Sequence, residues 1–236
     1  MKQFVSYFTR SISLMALCLF MAYGLSALDS SAAHALSDDQ TSPTPEHTQD
    51  IRLVVLAEDG TQTPVETPPL GGLAPQEDAL APYLIDFNQW SQCYSFNNSG
   101  FVLKQYGWIN APGSATMVTL KCGTEGYGYK HITQNHRSHW ETVLANAEAT
   151  GWKKTTYMIN TWDDLMFMAL VNAVSGPAGT SNNPASNKAC ANVQFGLVDS
   201  STGAVKYSFR AEGVISMNNL TTITAFPSSR TWCNHV

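Results

Sequence analysis

ANVQFGLVDSSTGAVKYSFRAEGVISMNNLTTITAF, residues 191–226, decides the fold class. Three runs rich in β-branched and aromatic residues, 191–198, 204–215 and 220–226, are separated by the turn-like Ser200-Ser201-Thr202-Gly203 and Met217-Asn218-Asn219. Tight polar breaks between strands predict antiparallel pairing in a meander. Upstream the period changes. From Lys130 to Ala149 the residues Ile132, Trp140, Val143, Leu144 and Ala147 recur near the 3.6-residue spacing of one buried helical face, and Thr150-Gly151 ends the run. A second helix is predicted from Thr161, with Asp163 and Asp164 in its first turn, up to Ser175-Gly176-Pro177. Residues 101–109 and 115–121 flank Asn110-Ala111-Pro112-Gly113 as the arms of a hairpin would. The expected fold class is therefore α+β: N-terminal helices, after the hairpin, packed on a C-terminal antiparallel β-meander.

The chain is 236 residues long with a formal net charge of −5 and only 13% charged residues, about half the usual ~25%. That balance excludes a coiled coil, a highly charged disordered chain and a basic nucleic-acid coat. The charge is unevenly spread. Residues 1–35 combine Lys2 and Arg10, an apolar run from Ile12 to Tyr23 and an Ala33-His34-Ala35 site. These are the parts of a secretory signal peptide, with cleavage expected after Ala35. The apolar run falls short of the ~20 residues needed to span a bilayer, so no stable membrane association is expected. Residues 36–83 are acidic and rich in Pro and Thr, with Tyr83 as their one aromatic residue. Such composition predicts a disordered linker or pro-segment. One apolar island, Ile51–Leu56, is strand-like and fits either docking on the domain or a place in a cleavable pro-piece. The signal carries +1, the linker −8 and residues 84–236 carry +2, so the globular domain is slightly basic.

That domain holds all six Trp and four of the five Cys, Cys93, Cys122, Cys190 and Cys233. An even set in an exported chain reads as two disulfides, with all three connectivities open. Three of the six His fall within nine residues, in Tyr129-Lys130-His131-Ile132-Thr133-Gln134-Asn135-His136-Arg137-Ser138-His139. Histidine exchanges protons near neutral pH, and Lys130 and Arg137 add positive charge beside it. His131 would follow a glycine loop at a helix start, where backbone N–H groups favour a phosphate. His136 and His139 stand i, i+3 and could share a metal, but no H-E-x-x-H spacing is present and no metal or other cofactor is expected. The chain also lacks a G-x-S-x-G elbow, a P-loop and a dinucleotide fingerprint.

The segment GYGYKHITQNH, residues 126–136, resembles the G-x-K-H-I…H signature of secreted bacterial ribonuclease toxins of the barnase, EndoU, colicin and RelE type. The last strand, Thr222-Ile223-Thr224-Ala225-Phe226-Pro227, resembles the I-x-T-A-Y/F-P strand of the same group. The resemblance covers roughly Gly123 to Ser229 and implies metal-independent cleavage of RNA through attack of the 2′-hydroxyl, leaving a cyclic phosphate. It implies His131 as base, His136 as acid, Lys130 and Arg210 as charge stabilisers, and Thr224 as a phosphate donor. Tyr129 is a candidate for stacking a base and Arg137 for binding the backbone. RNA would be the substrate, and a cognate immunity protein the expected partner of such a toxin. Two other readings compete: a non-catalytic secreted binding domain of the same fold, and a metal-dependent hydrolase using the His cluster.

Overall fold

The structure, a computed structural model, describes residues 50–65, 84–109, 115–175, 180–183, 185–231 and 233. The expected signal peptide 1–35, most of the expected linker and the hairpin turn at 110–113 lie outside the described residues. The elements in chain order are strand β1 (Ile51–Leu56), strand β2 (Gln62–Pro64), helix α1 (Phe87–Trp90), a π-helical turn at Ser91–Ser95, strands β3 (Val102–Ile109) and β4 (Ala115–Lys121), helix α2 (Gly128–Glu148), a 3-10 turn at Lys154–Tyr157, helix α3 (Trp162–Ser175), and strands β5 (Thr180–Asn183), β6 (Lys188–Asp199), β7 (Val205–Ser216) and β8 (Thr221–Ser228).

The described strands form one eight-stranded sheet in the order β2-β1-β6-β7-β8-β4-β3, with β5 also on β6. Its centre is the expected meander: β6 pairs antiparallel with β7, and β7 antiparallel with β8. The two neighbours on the other edge of β6 share its length. β1 takes residues 194–199 and β5 takes 188–191, both antiparallel. The β3–β4 hairpin joins the far side through one parallel pair, Thr119 with Thr221, where the Thr119 N–H donates to the Leu220 carbonyl at 2.8 Å.

Two expectations need correcting. The fold is mixed, with a mostly antiparallel sheet and the expected β3–β4 hairpin ahead of α2, but β1 and β2 come before it as well, so the helices are not clearly N-terminal. The folded part also begins before residue 84. Within the segment expected as linker, Ile51, Leu53 and Val54 are buried and β1 pairs along residues 194–199 of β6. The linker composition is dominated by its carboxylates, but the six-residue apolar run inside it has a partner strand whose backbone groups would otherwise be open to pairing.

One face of the sheet is covered by α3, which is apolar almost all round and buried through Val174. The approach is close enough that a Cβ on Gly213 would lie 2.4 Å from Leu170 Cδ1. Asp164 fixes the start of this helix, reaching back to the N–H groups of Asn160 and Thr161 at 2.9 and 3.0 Å. Its other oxygen accepts from the Leu84 N–H at 3.0 Å. The four cysteines pair as Cys93–Cys122 and Cys190–Cys233. The first ties the π-helical turn to the end of β4, and the second ties the chain end to β6. Among the described residues no helix is long and apolar enough to cross a membrane.

The buried role of β1 is testable by urea unfolding. Leu53→Ala should lower stability by about 2–5 kcal/mol. A chain starting at Leu84 should expose the β6 edge and lose its cooperative transition. Unchanged midpoints in both would show that β1 is not part of the core.

Candidate functional site

The glycine loop aims α2. Gly123 and Gly128 have φ of +67° and +77°, and a Cβ at Gly123 would lie 1.9 Å from the Tyr127 carbonyl oxygen. Only glycine allows so close a return. The loop lets the Lys130 N–H donate to the Cys122 carbonyl at 2.9 Å, locking the first turn of α2 to the end of β4. That bond uses one of the amides expected to be open for a phosphate, and the helix starts at Gly128, before the expected Lys130.

From there α2 packs beside β8. The Trp140 indole N–H donates to the Ala225 carbonyl at 3.1 Å. The buried stripe of α2 reads Ile132, Trp140, Val143, Leu144 and Ala147, and His136 takes the position between Ile132 and Trp140, four residues from each. Its ring is half-buried and stacks on Phe226 of β8, with centroids 5.0 Å apart and planes 29° apart. The other two histidines converge on it, with the centroid of His131 at 5.8 Å and that of His139 at 5.9 Å. The five-residue spacing of His131 and His136, about 140° around an ideal helix, does not part them. A helical side chain leans towards the N-terminus, and that brings His136 back to the first turn.

The three rings differ in chemistry. His136 has no hydrogen-bond partner for its buried Nδ1. Burial, then the neighbouring His131 and His139, hold its pKa down to about 4, so it is a neutral imidazole at neutral pH. The Nδ1 of His131 lies 2.6 Å from the Glu125 carbonyl oxygen. A carbonyl only accepts, so this contact places a proton on Nδ1 and leaves Nε2 for chemistry. Asn135 donates from Nδ2 to the His131 carbonyl at 2.9 Å and stands 3.1 Å from the same Nδ1. His139 is exposed.

Beside these rings lies the sheet face opposite α3. Residues paired across strands share a face. Arg210 pairs with Gln194 and Ser228, Glu212 with Asn192 and Phe226, and Val214 with Cys190 and Thr224. Arg210 and Thr224 therefore lie on the face of Phe226, the residue under His136. The register runs unbroken from Arg210/Ser228 to Val214/Thr224 and is broken only beyond that point. The register shifts between Val214 and Ile215, which pair with Thr224 and Thr222. Thr222 thereby turns to the core, 2.6 Å from the Tyr106 hydroxyl, while Thr224 stays on the other face. The Thr224 hydroxyl is buried at 9% exposure without a hydrogen-bond partner. Arg210 is half-buried and donates to Asn192 Oδ1 at 2.7 Å and to Gln194 Oε1 at 2.6 Å.

Three residues expected to contact substrate have protein partners. Tyr129 is not open to stack a base: it is buried against Trp162 and its hydroxyl donates to Asp163 Oδ2 at 3.1 Å. Arg137 forms a surface pair with Glu141, Nε to Oε1 at 2.7 Å, one turn along the helix. Lys130 donates to Asn97 Oδ1 at 2.5 Å, on the segment after the π-helical turn. Conversely, Phe226, Asn192, Gln194, Glu212 and Ser228 belong to this face without a sequence motif that assigns them a role. Their signal is a polar residue at alternate positions of otherwise apolar strands: Asn192 and Gln194 on β6, Arg210 and Glu212 on β7.

Among the described residues, one group of potential metal ligands lies close together, Cys190, Glu212 and Cys233. Both sulfurs are committed to the disulfide, so no thiolate is on offer while it is intact.

The state of His136 can be read by NMR titration. The ring should titrate near pH 4, and Phe226→Ala, which opens it to water, should raise that value towards the ordinary ~6.5. Because the folded value lies below the unfolded one, His136 should cost stability as pH falls through the window from about 6.5 to 4. A His136 that titrates at the ordinary value would contradict the packing described. No family model, curated protein or solved structure matches this chain.

Proposed function

We propose that this chain is an exported, metal-independent endoribonuclease, toxin-like in kind, that cleaves RNA by 2′-hydroxyl attack. The observation carrying this reading is the convergence of a neutral His136, a second imidazole 5.8 Å away and a sheet face bearing Arg210 and the unpartnered Thr224 hydroxyl. These are the parts the reaction needs: a base, an acid, and donors for developing negative charge.

The balance of the step sets the roles. The base removes the proton of the 2′-hydroxyl, whose oxygen bonds to the neighbouring phosphorus. The bond from phosphorus to the 5′-oxygen breaks, and the acid protonates that oxygen. A 2′,3′-cyclic phosphate and a 5′-hydroxyl result. With a pKa near 4, His136 carries no proton to give at neutral pH and suits the base rather than the acid role implied by the resemblance. An anionic phosphate beside it raises its affinity for the proton it takes. His131, anchored through its Nδ1–H on the Glu125 carbonyl, then serves as the acid in its doubly protonated form, giving the Nε2 proton to the 5′-oxygen and keeping the one on Nδ1. Arg210 stabilises the charge on the non-bridging oxygens, and Thr224 donates its free hydroxyl to one of them.

The two disulfides fit an oxidising compartment and, with the expected signal peptide, support export. Reach into the producer's own cytoplasm would damage its RNA, so a small acidic inhibitor that covers the His131–His136 face is the partner proposed.

Incubating the disulfide-intact protein with tRNA or total RNA in EDTA tests the reading. His131→Ala and His136→Ala should each lower kcat/KM by about 10²–10⁴, and Arg210→Ala by about 10²–10³. Cleavage that survives both histidine substitutions, or that needs added zinc or manganese, would sink the proposed chemistry.

A further inference from the structure

The short segment before β3 carries a row of aromatic rings that the core does not use. Phe87, Trp90, Tyr94 and Phe96 are 83%, 46%, 40% and 70% exposed. Scattered exposed apolar side chains are ordinary, but a contiguous row of large rings on a soluble surface marks a binding site. The Phe87 and Trp90 rings lie 6.4 Å apart with planes 19° apart, and Trp90 and Tyr94 lie 5.8 Å apart at 32°. The row is built rigidly. Asp86 and Gln89 form a reciprocal cap on α1. The Gln89 side chain donates to the Leu103 carbonyl at 3.2 Å, and Cys93, inside the row, is bonded to Cys122. A π-helical turn carries Tyr94, a geometry frequent at functional sites.

The row ends at a cation. Lys130 Nζ sits 5.8 Å from the centre of the Tyr94 ring and is held by Asn97. Lys130 is also the residue before His131 on α2, so the same first turn serves the aromatic row and the imidazoles. Asp86 is the one carboxylate in residues 84–101, and its side chain is spent on the Gln89 N–H. Fixed ring faces, a cation at one end and no free carboxylate between them are what a strand of unstacked nucleobases with a phosphate backbone requires. A paired duplex keeps its base faces buried and offers the rings nothing to stack on.

We infer that Phe87, Trp90 and Tyr94, with Lys130, form a stacking platform for single-stranded RNA, which leads the strand to the His131–His136 site. The inference rests on the ribonuclease reading for its ligand. It makes the substrate unpaired RNA and places the selection for it in the aromatic row rather than in the reacting groups.

Binding is measured apart from cleavage with a fluorescent, fully 2′-O-methylated single strand of about ten nucleotides, which lacks the attacking hydroxyl. The full disulfide-bonded protein should bind it well above the matching duplex. Trp90→Ala with Tyr94→Ala should weaken binding by about tenfold for each ring removed. Trp90→Phe with Tyr94→Phe, which keeps the ring faces, should restore it. Thermal melts identify any variant that has lost the fold, and the Phe pair then decides. Alanine variants that bind as tightly as wild type, equal binding of duplex, or competition by oligosaccharides rather than by RNA would overturn the platform. Binding through Trp90 in a protein that cuts no RNA would sink the ribonuclease reading and leave the platform standing. Cutting without any dependence on the rings would do the reverse.

Discussion

The contact on which the site depends is the packing of α2 beside β8. On one side β8 pairs with β7, but on the other it has a single parallel pair with β4, at Thr221. Past that point buried carbonyls need other donors. Trp140 supplies one, to Ala225, and its fully buried ring fixes the helix there. Once Trp140 is seated, the stripe one turn earlier has no freedom, and His136 must lie on Phe226. The imidazole is desolvated by that seat and is neutral because of it. Its chemistry is thus set by a packing contact rather than by a charged neighbour on the sheet.

The sheet contributes a cation that is held by amide oxygens. Asn192 donates from Nδ2 to Glu212 Oε1 at 3.3 Å and to the Arg230 carbonyl at 3.1 Å. Both partners only accept, so the amide oxygen has to face the other way, onto Arg210. Gln194 offers a second amide oxygen to the same guanidinium. Two neutral acceptors fix the fork of Arg210, and Asn192 links it to the Glu212 carboxylate on the same face. Ser228 closes the network, donating to Glu212 Oε1 at 2.5 Å and accepting from the Arg230 N–H at 3.0 Å. The Cys190–Cys233 bridge ties the chain end beside it.

Much of this was legible in the sequence where the signal was local. The meander β6–β8, the buried stripe of α2 and the clustering of the histidines follow from period and spacing alone. So does the pairing potential of Ile51–Leu56, although the acidic residues around it made the whole segment read as linker. What was not legible is non-local. The face on which Arg210 and Thr224 meet depends on the register of β7 against β6 and β8, which no propensity marks. Tyr129 reads as a ring free to stack until Asp163 and Trp162, from another helix, claim it. Motif position implies an acid at His136, whereas its place in an apolar stripe, between Ile132 and Trp140, points to a desolvated ring. The aromatic row at Phe87–Tyr94 is not legible in the sequence because exposure, unlike residue type, is a property of the fold.

The most direct test is the end chemistry of the products. Wild-type protein incubated with a defined single-stranded RNA in excess EDTA should yield fragments ending in 2′,3′-cyclic phosphate and beginning with 5′-hydroxyl, as read by mass spectrometry. Intact RNA, or fragments with 3′-hydroxyl and 5′-phosphate ends, would contradict the paired-imidazole site.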